Sequence, residues 1–211
     1  MGAAQTEREP RAEARREEIL EGALRVFSDV GYARATTKAI AQAAGMRSPG
    51  LIYWYFSNKE DLLREVFLRY AIVLEAAAGP TPALDVPPEL ALPQVARAAL
   101  AFFDNDRVRR VYRLWMAEWP RLEQLGISLE KSGRAQNVYT VTQRYLERQV
   151  ELGTLRAHDT WAAARTFVAL MWSQIEARHL FPSIYPTPLA DEEYIDRTVA
   201  LFIDGLKARP L

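Results

Sequence analysis

The chain has 211 residues, in which 27 Lys and Arg balance 27 Asp and Glu, 49% of the residues are hydrophobic and cysteine is absent. A chain of this length buries roughly 70% of the surface that its unfolded form exposes, so it can form a core without cross-links. The lack of cysteine excludes disulfides, cysteine-ligated zinc and a thiol nucleophile. Taken alone, the net charge of zero argues against a nucleic-acid partner.

The distribution of charge along the chain favours a cytoplasmic protein. The longest stretch without Asp, Glu, Lys or Arg is 179–190, which contains three prolines and is too short to span a bilayer. Charged residues begin at Glu7, and the N-terminus has no apolar segment of the kind that a secretory signal needs. We therefore expect no membrane segment and no membrane partner.

Apolar residues recur with the helical period along most of the chain, which predicts an all-α protein of about nine helices. After a disordered tail over 1–10, a long amphipathic helix is expected over 11–30, and Gly31 suits its C-cap. A short second helix follows. It is expected to begin after Thr36, whose hydroxyl can cap it, and to stop at Gly45.

The third predicted helix begins at Ser48, with Pro49 in its first turn, and ends near Tyr55. A connecting helix over 59–78 follows, with Ser57-Asn58 as its expected cap, and acids in its first turn complement the helix dipole. Its expected buried stripe is Leu62, Leu63, Val66, Phe67, Tyr70, Val73 and Leu74. A proline-rich stretch over 79–91 then predicts a long loop or linker.

Residues 92–211 predict a second helical domain. Five helices are expected in it, at about 92–104, 106–124, 127–152, 159–181 and 191–207. The third of these is the least regular, because residues 138–142 are rich in β-formers although their flanks have a helical composition.

An acid-free window runs from Val30 to Lys59 and forms part of a predicted helix-turn-helix domain over 11–58. The window has no Asp or Glu, whereas both flanks are net negative. Its four cations are Arg34, Lys38, Arg47 and Lys59. A carboxylate facing phosphates would oppose the counterion release that drives DNA binding, so its exclusion predicts a DNA-binding surface.

This segment resembles the N-terminal DNA-binding domain of the tetracycline-repressor-like (TetR) family of bacterial transcriptional regulators. The likeness covers about residues 15–65 and rests on short motifs that are specific in combination. They are Phe27, Gly31-Tyr32, Thr36, Ile40-Ala41, Ala44-Gly45, Tyr53-Trp54-Tyr55-Phe56 and Lys59-Glu60-Asp61-Leu62. The resemblance implies a domain that binds double-stranded DNA.

The sequence departs from the family pattern at two places. Gly45 to Tyr53 is one residue longer than the commonest family spacing, which leaves open which residues of the turn 46–50 reach the bases. Ala39 stands where family members often carry an acid, so the second helix lacks a capping-box partner.

The third predicted helix, at about 48–55, is expected to face base edges in the major groove. The residues expected toward the bases are Ser48, Pro49, Gly50, Leu51 and Tyr53, and Arg47 is an expected DNA contact whose partner, base or phosphate, is open. Phosphate contacts are expected from Thr36, Thr37, Lys38, Tyr55 and Lys59. Core packing is the alternative for Tyr53 and Tyr55, while Trp54 is open between solvent, phosphate and core. Core positions are expected at Ile40, Ala44 and Phe56.

Residues 90–208 contain no catalytic motif: there is no GxSxG, GxG, P-loop or HExxH pattern. Two histidines without cysteine do not make a metal site, so we expect a protein that is not an enzyme and has no metal or cofactor. His158 is interpreted as a capping or surface residue. His179 is open between a satisfied, partly buried histidine and a ligand contact.

Aromatic residues concentrate on the predicted helices 106–124 and 159–181. Such stripes are usually core, but aromatic and Met side chains with a few polar groups also line pockets for apolar small molecules. The resemblance implies such a pocket in the C-terminal domain. Its candidate residues are Phe102, Tyr112, Trp115, Glu118, Trp119, Tyr139, Met171, Trp172, Gln174 and His179.

The predicted helices 159–181 and 191–207 are apolar on more than one face, so each needs two partners. The resemblance implies that they form a four-helix interface in a homodimer. A two-fold dimer would bind a palindromic operator with half-sites about 34–36 Å apart, or a multiple of that distance.

The leading hypothesis is a ligand-responsive repressor. A small, largely apolar effector would favour a dimer whose DNA-binding heads no longer match the operator, with the helix 59–78 carrying the change. A transcriptional activator of the same fold is the nearest alternative. A helical small-molecule-binding or interaction protein that does not use DNA is the alternative from another class.

Overall fold

The computed structural model describes residues 8–75, 82–127, 138–184 and 189–207. In these ranges the chain forms eight α-helices, named α1 to α8, and a 3₁₀ helix, Pro49–Trp54, between α2 and α3. The α-helices are Arg8–Val30, Thr37–Ala43, Lys59–Glu75, Pro88–Phe102, Asp106–Gln124, Val138–Glu151, Thr160–Ile175 and Asp191–Leu206. Extended structure in the same ranges is limited to one antiparallel bridge between Leu155 and Lys207. The all-α prediction is confirmed.

Several predicted segments lie outside the described residues. They are 1–7 of the predicted tail, 76–78 of the connecting helix, 79–81 of the loop and 128–137 of the helix predicted at 127–152. Among the helices that are described, none combines the length and the apolar character needed to cross a membrane.

The chain divides into two compact units. The first contains the described residues of Met1–Leu74 and Arg110–Gly133, and the second contains those of Glu75–Arg109 and Arg134–Leu211. Helix α5 therefore gives its first turn to the second unit and its remaining residues to the first.

The first unit has a core that α1, α2, the 3₁₀ helix, α3 and α5 share. Helix α1 contributes one apolar face at the predicted spacing, with Ile19, Leu20, Ala23, Leu24 and Phe27 buried. Helix α3 contributes Leu62, Leu63, Val66, Phe67 and Tyr70. Helix α5 contributes Val111, Leu114 and Leu122. The core includes residues more than 100 positions apart in the chain.

Helices α1 and α2 meet closely at Gly22. A Cβ atom at this position would lie 2.9 Å from the backbone nitrogen of Ala44 and 3.1 Å from the carbonyl carbon of Ala43. Both neighbours are backbone atoms, so neither can rotate away. The absence of a side chain at Gly22 sets how closely the two helices approach.

The predicted capping residues of the first unit are in place. The hydroxyl of Thr36 accepts a hydrogen bond from the backbone N–H of Ala39. The side-chain oxygen of Asn58 accepts one from the N–H of Asp61 at the start of α3. Gly31, after α1, and Gly45, after α2, have φ angles of +79° and +66°. These caps fix the lengths of the short elements between α1 and α3.

The third predicted helix differs from the expectation. It is a 3₁₀ helix over Pro49–Trp54, and the side chain of Ser48 makes no capping hydrogen bond. Six residues with a proline and a glycine at their start form few backbone hydrogen bonds, and such short runs are typical of 3₁₀ geometry.

Three other boundaries moved. Helix α1 begins at Arg8, within the tail predicted to be disordered over 1–10. Helix α4 begins at Pro88 rather than 92, because a proline in the first helical turn has no N–H to leave unpaired. Helix α7 ends at Ile175 and continues as a π-helical turn over Glu176–Leu180.

The second unit is formed by α4, α6, α7 and α8, in which α6 packs on α7 and α4 packs on α8. Two buried polar side chains of α6 hold the segment before α4. The Tyr145 hydroxyl donates to the carbonyl of Val86 at 2.7 Å, and the Gln149 amide donates to the carbonyl of Leu84 at 2.7 Å. Their hydrogen bonds satisfy backbone groups that the loop could not pair itself.

Candidate nucleic-acid interface

Buried side chains fix the orientation of α2 and the 3₁₀ helix. Ile40 and Ala44 at α2, and Ile52 and Phe56 around the 3₁₀ helix, lie in the core of the first unit. The core positions predicted at Ile40, Ala44 and Phe56 are therefore occupied as expected. Ala41 of α2 is buried with them, so the exposed side chains of both elements lie on the opposite side.

The outward face contains most of the predicted DNA-contacting residues. Thr36, Lys38, Arg47, Ser48, Gly50 and Tyr53 are exposed, and Thr37, Pro49, Leu51, Tyr55 and Lys59 are half-buried. The hydroxyls of Thr37 and Tyr53 are 3.3 Å apart and share a hydrogen bond. This bond joins α2 to the 3₁₀ helix, so a predicted phosphate contact and a predicted base contact are adjacent.

The two tyrosines have different environments. Tyr53 is 51% exposed, whereas Tyr55 packs partly against the core of the unit. Core packing was the alternative for both tyrosines. It applies to part of the Tyr55 side chain and does not apply to Tyr53.

Trp54 is the aromatic residue that the sequence left open. Its side chain is 82% exposed, the largest exposed fraction among the large hydrophobic residues that the structure describes. Of the three environments left open for Trp54, the structure therefore excludes the core.

The four cations of the window divide into two pairs. Lys38 and Arg47, which we call the open cations, are exposed and have no ion-pair partner among the described residues. Arg34 donates from Nε to the carbonyl of Val30 at 2.9 Å. Lys59 donates from Nζ to the carbonyls of Tyr32 and Ala35 at 2.8 and 3.0 Å. Lys59 thus has internal hydrogen-bond partners, whereas the side chains of the open cations have none among the described residues.

Four of the predicted pocket residues lie on α5 in the first unit. Tyr112, Trp115 and Trp119 form a ladder of rings with successive centroids 5.8 and 5.4 Å apart. The indole Nε1 of Trp115 is buried and has no hydrogen-bond partner within the described chain. Glu118 is used differently: its carboxylate binds the backbone N–H of Tyr32 and the guanidinium of Arg121.

The other predicted pocket residues lie in the second unit. Met171 is buried. Ring contacts join Trp172 to Phe103, Phe102 to Phe103, and Tyr139 to Trp161. Gln174 is buried and donates to the carbonyl of Leu189 and the carboxylate of Asp191, at 2.7 and 3.0 Å. Its amide is therefore engaged within the fold.

His179 lies on the π-helical turn after α7. Burial, followed by the positive charges of Arg178 and Arg109, lowers the pKa of His179 below its ordinary value of 6.5. Its Nε2 is buried, is 3.4 Å from the carboxylate of Asp104, and makes no hydrogen bond in the described ranges. The ring is therefore neutral at pH 7, and Asp104 and Asp191 oppose the shift without reversing it.

Family comparison agrees with this arrangement. Residues 19–66 match the model of bacterial regulatory proteins of the tetR family, and residues 90–205 match the C-terminal domain of AefR-like transcriptional repressors. The second match alone covers more than half of the chain.

Individual relatives match mainly in the N-terminal part. The HTH-type transcriptional regulator AcrR of Shigella flexneri is 43% identical over 56 residues, 26% of either protein. The HTH-type transcriptional repressor KstR2 of Mycolicibacterium smegmatis is 36% identical over 75 residues, 32% of this chain and 36% of that protein. The aligned residues thus span about a quarter to a third of these relatives.

A likeness over the whole fold comes from a solved structure. The crystal structure of the TetR family transcriptional regulator PfmR from Thermus thermophilus superposes with a TM-score of 0.60 at 25% identity, covering 90% of this chain and 99% of that one. The chain belongs to the tetR family of bacterial regulatory proteins.

Proposed function

We propose that the protein is a transcriptional repressor that works in the bacterial cytoplasm, binds a palindromic operator as a homodimer and leaves it when a small, largely apolar effector binds. The observation that carries the proposal is the pair of open cations, Lys38 and Arg47, beside the 3₁₀ helix in a window without acids. Unpaired cations on an acid-free surface are suited to phosphates, because binding them releases counterions.

Sequence discrimination would come from the 3₁₀ helix and the turn before it. Ser48, Gly50 and Tyr53 are exposed there, and the Thr37–Tyr53 hydrogen bond holds the tyrosine against α2. Hydroxyl groups can donate to or accept from base edges in the major groove. Thr36, Lys38 and Arg47 would contact phosphates and orient the segment.

The dimer would form through α7 with its π-helical turn and through α8. Leu201 of α8 is 75% exposed, and the outward side of α7 carries the exposed residues Trp161 and Ala169. Both helices also have a buried side that includes Phe167 and Val199. An apolar second face of this kind is suited to the same face of another subunit.

Repression is favoured over activation because the C-terminal match is to AefR-like repressors. For the effector, the ring ladder of α5 offers apolar contact area and the buried N–H of Trp115 lacks an acceptor within the described chain. A buried donor without a partner costs about 1–3 kcal/mol, which an effector oxygen would recover. An apolar compound with one hydrogen-bond acceptor fits best.

The test is binding of the purified protein to a labelled duplex from immediately upstream of its own gene, measured by fluorescence anisotropy across salt concentrations. Lys38→Ala and Arg47→Ala should each weaken binding and lower the salt slope by about one unit per subunit. The matched control is Arg144→Ala, which removes an exposed arginine from α6. A shallow salt dependence for the unmodified protein would instead support a helical binding protein that does not use DNA.

Effector chemistry is tested with the same complex. 2-Acetylnaphthalene and 2-ethylnaphthalene are similar in size, but only the first has a hydrogen-bond acceptor. We expect the ketone to release DNA at lower concentration, and Trp115→Phe to remove the difference. Equal potency of the two compounds on the unmodified protein would contradict the role of the Trp115 N–H.

A further inference from the structure

The turn between α1 and α2 is held by a carboxylate from α5. One oxygen of Glu118 accepts a hydrogen bond from the backbone N–H of Tyr32 at 3.1 Å, although the two residues are 86 positions apart. The other oxygen is 3.3 Å from Nε of Arg121, one turn further along α5. The Glu118 side chain is only 15% exposed, so this contact is shielded from solvent.

The remaining groups of Tyr32 are also bound by charged side chains. Its carbonyl accepts from Nζ of Lys59 at 2.8 Å, so both backbone polar groups of this residue are engaged by helices other than α1 and α2. The ring has two cations near it: Nζ of Lys59 is 4.3 Å and Cζ of Arg121 is 4.5 Å from its centroid. Both distances are within the range of cation–π attraction.

The charges around Tyr32 balance one another. Glu118 brings a carboxylate against a window that has no acid of its own. Arg121 and Lys59 both place a cation near the Tyr32 ring and offset the charge of the carboxylate. The Glu118 carboxylate can therefore bind the Tyr32 N–H without adding an unbalanced negative charge near the open cations.

The hydrogen bond between Glu118 and Tyr32 restrains the backbone between α1 and α2. Gly31, immediately before Tyr32, has a φ of +79° and restricts the backbone little in the unfolded chain. Four residues after Tyr32 comes Thr36, which caps α2, and then Thr37, which is bound to Tyr53. The position of Tyr32 therefore helps to determine where two predicted DNA contacts, Thr36 and Thr37, lie.

We propose that Glu118 and Arg121 are positioning residues for DNA binding, which fix Thr36 and Thr37 through Tyr32 and contact no DNA themselves. The proposal rests on the proposed function. It also changes the role of Glu118, which was expected to line the effector pocket. All the residues of the argument belong to the first compact unit.

Glu118→Ala should weaken binding to the upstream duplex about tenfold, as expected for loss of a charged hydrogen bond that orders the contact surface. The salt slope should stay unchanged, because no phosphate contact is removed. Glu118→Gln keeps an oxygen acceptor for the Tyr32 N–H and should restore most of the affinity. Glu123→Ala, which removes an exposed acid of the same helix, is the control and should bind like the unmodified protein.

Amide hydrogen exchange at Tyr32, measured by NMR, gives a second readout. Exchange should be faster in Glu118→Ala and close to normal in Glu118→Gln. If Glu118→Ala fails to fold by circular dichroism, Arg121→Ala takes its place, with an expected loss of about threefold from removal of one cation–π contact.

The proposal is wrong if the folded Glu118→Ala or Arg121→Ala variant binds the duplex like the unmodified protein. It is also wrong if the glutamine variant is as weak as the alanine variant with a reduced salt slope, since Glu118 would then act through its charge. Absence of salt-dependent binding by the unmodified protein would overturn the proposed function as well. The two failures are therefore distinguishable.

Discussion

Two groups of polar and charged residues differ in whether their members have partners within the fold. The open cations, Lys38 and Arg47, are exposed and unpaired within the described chain. A second group, which we call the corner cluster, lies in the second unit at the junction of α4–α5, α7 and α8. It consists of Asp104, Gln174, Arg178, His179 and Asp191.

Charges in the corner cluster are matched to one another. Arg178 pairs with Asp191 and lies 3.4 Å from Asp104, and Gln174 donates to Asp191 at 3.0 Å. A partly buried charge must be paired, because desolvation would otherwise cost more than the fold gains. An internal partner would weaken the binding of a cation to phosphate, because the partner would first have to be displaced. The difference separates charges that hold the fold from charges that we propose to bind phosphates.

The largest effect is expected from breaking the corner cluster. Gln174→Leu leaves the Leu189 carbonyl without its buried donor and removes one partner of Asp191. We expect the free energy of unfolding in urea to fall by about 3 kcal/mol. DNA affinity of the folded fraction should not change. A decrease in the free energy of unfolding below about 1 kcal/mol would mean that water enters the corner cluster and replaces the amide.

Removal of both open cations should have the next largest effect. Lys38→Ala combined with Arg47→Ala should weaken DNA binding near physiological salt by about thirtyfold per subunit, about 2 kcal/mol, and lower the salt slope by about two units per subunit. The free energy of unfolding should stay within about 0.5 kcal/mol, because no partner is left unpaired. A clear loss of stability would show that these cations have internal partners.

Acid should weaken the corner cluster through His179. Its pKa is lowered in the folded protein, so the unfolded chain takes up the proton first as pH falls below 6.5. The stability present above pH 6.5 should therefore decrease on acidification toward the folded pKa, by at most about 1.4 kcal/mol per pH unit. Urea unfolding at pH 7 and 5.5 measures this. His179→Gln should reduce the difference, and an unchanged difference would assign it to other groups.

The smallest change is expected at Ser48. Its side chain caps no helix in the structure, so Ser48→Ala should alter the free energy of unfolding by less than about 0.5 kcal/mol. Thermal unfolding would detect the loss of about 1 kcal/mol that a true cap gives. If Ser48→Ala leaves the stability unchanged but alters the preference among DNA sequences, Ser48 would contact DNA, as we propose for the open cations.

The sequence was informative where the signal is local. Helical spacing predicted the buried faces of α1 and α3, and the caps Thr36 and Asn58 were recognised because a cap acts on residues three positions away. The exposed residues Thr36, Lys38, Arg47, Ser48, Gly50 and Tyr53 of the acid-free window are also close in sequence, and their contact with DNA stays a prediction.

Long-range polar partners could not be predicted. Glu118 and Gln174 were both expected beside a ligand because each is a polar residue next to an apolar stripe. In the structure Glu118 binds Tyr32 and Gln174 binds Leu189 and Asp191. Periodicity gives the face on which a residue lies but not the backbone group that it meets. The 3₁₀ geometry of 49–54 was missed because its spacing differs little from that of a single α-helical turn.

The close contact at Gly22 has a consequence for how this protein tolerates genetic variation. Every substitution of glycine adds a Cβ, and here that atom would lie 2.9 Å from the backbone of Ala44. Saturation mutagenesis scored by repression of a reporter gene should therefore show no accepted codon at position 22 apart from those for glycine. Even alanine, which adds a single methyl group, would force α1 and α2 apart.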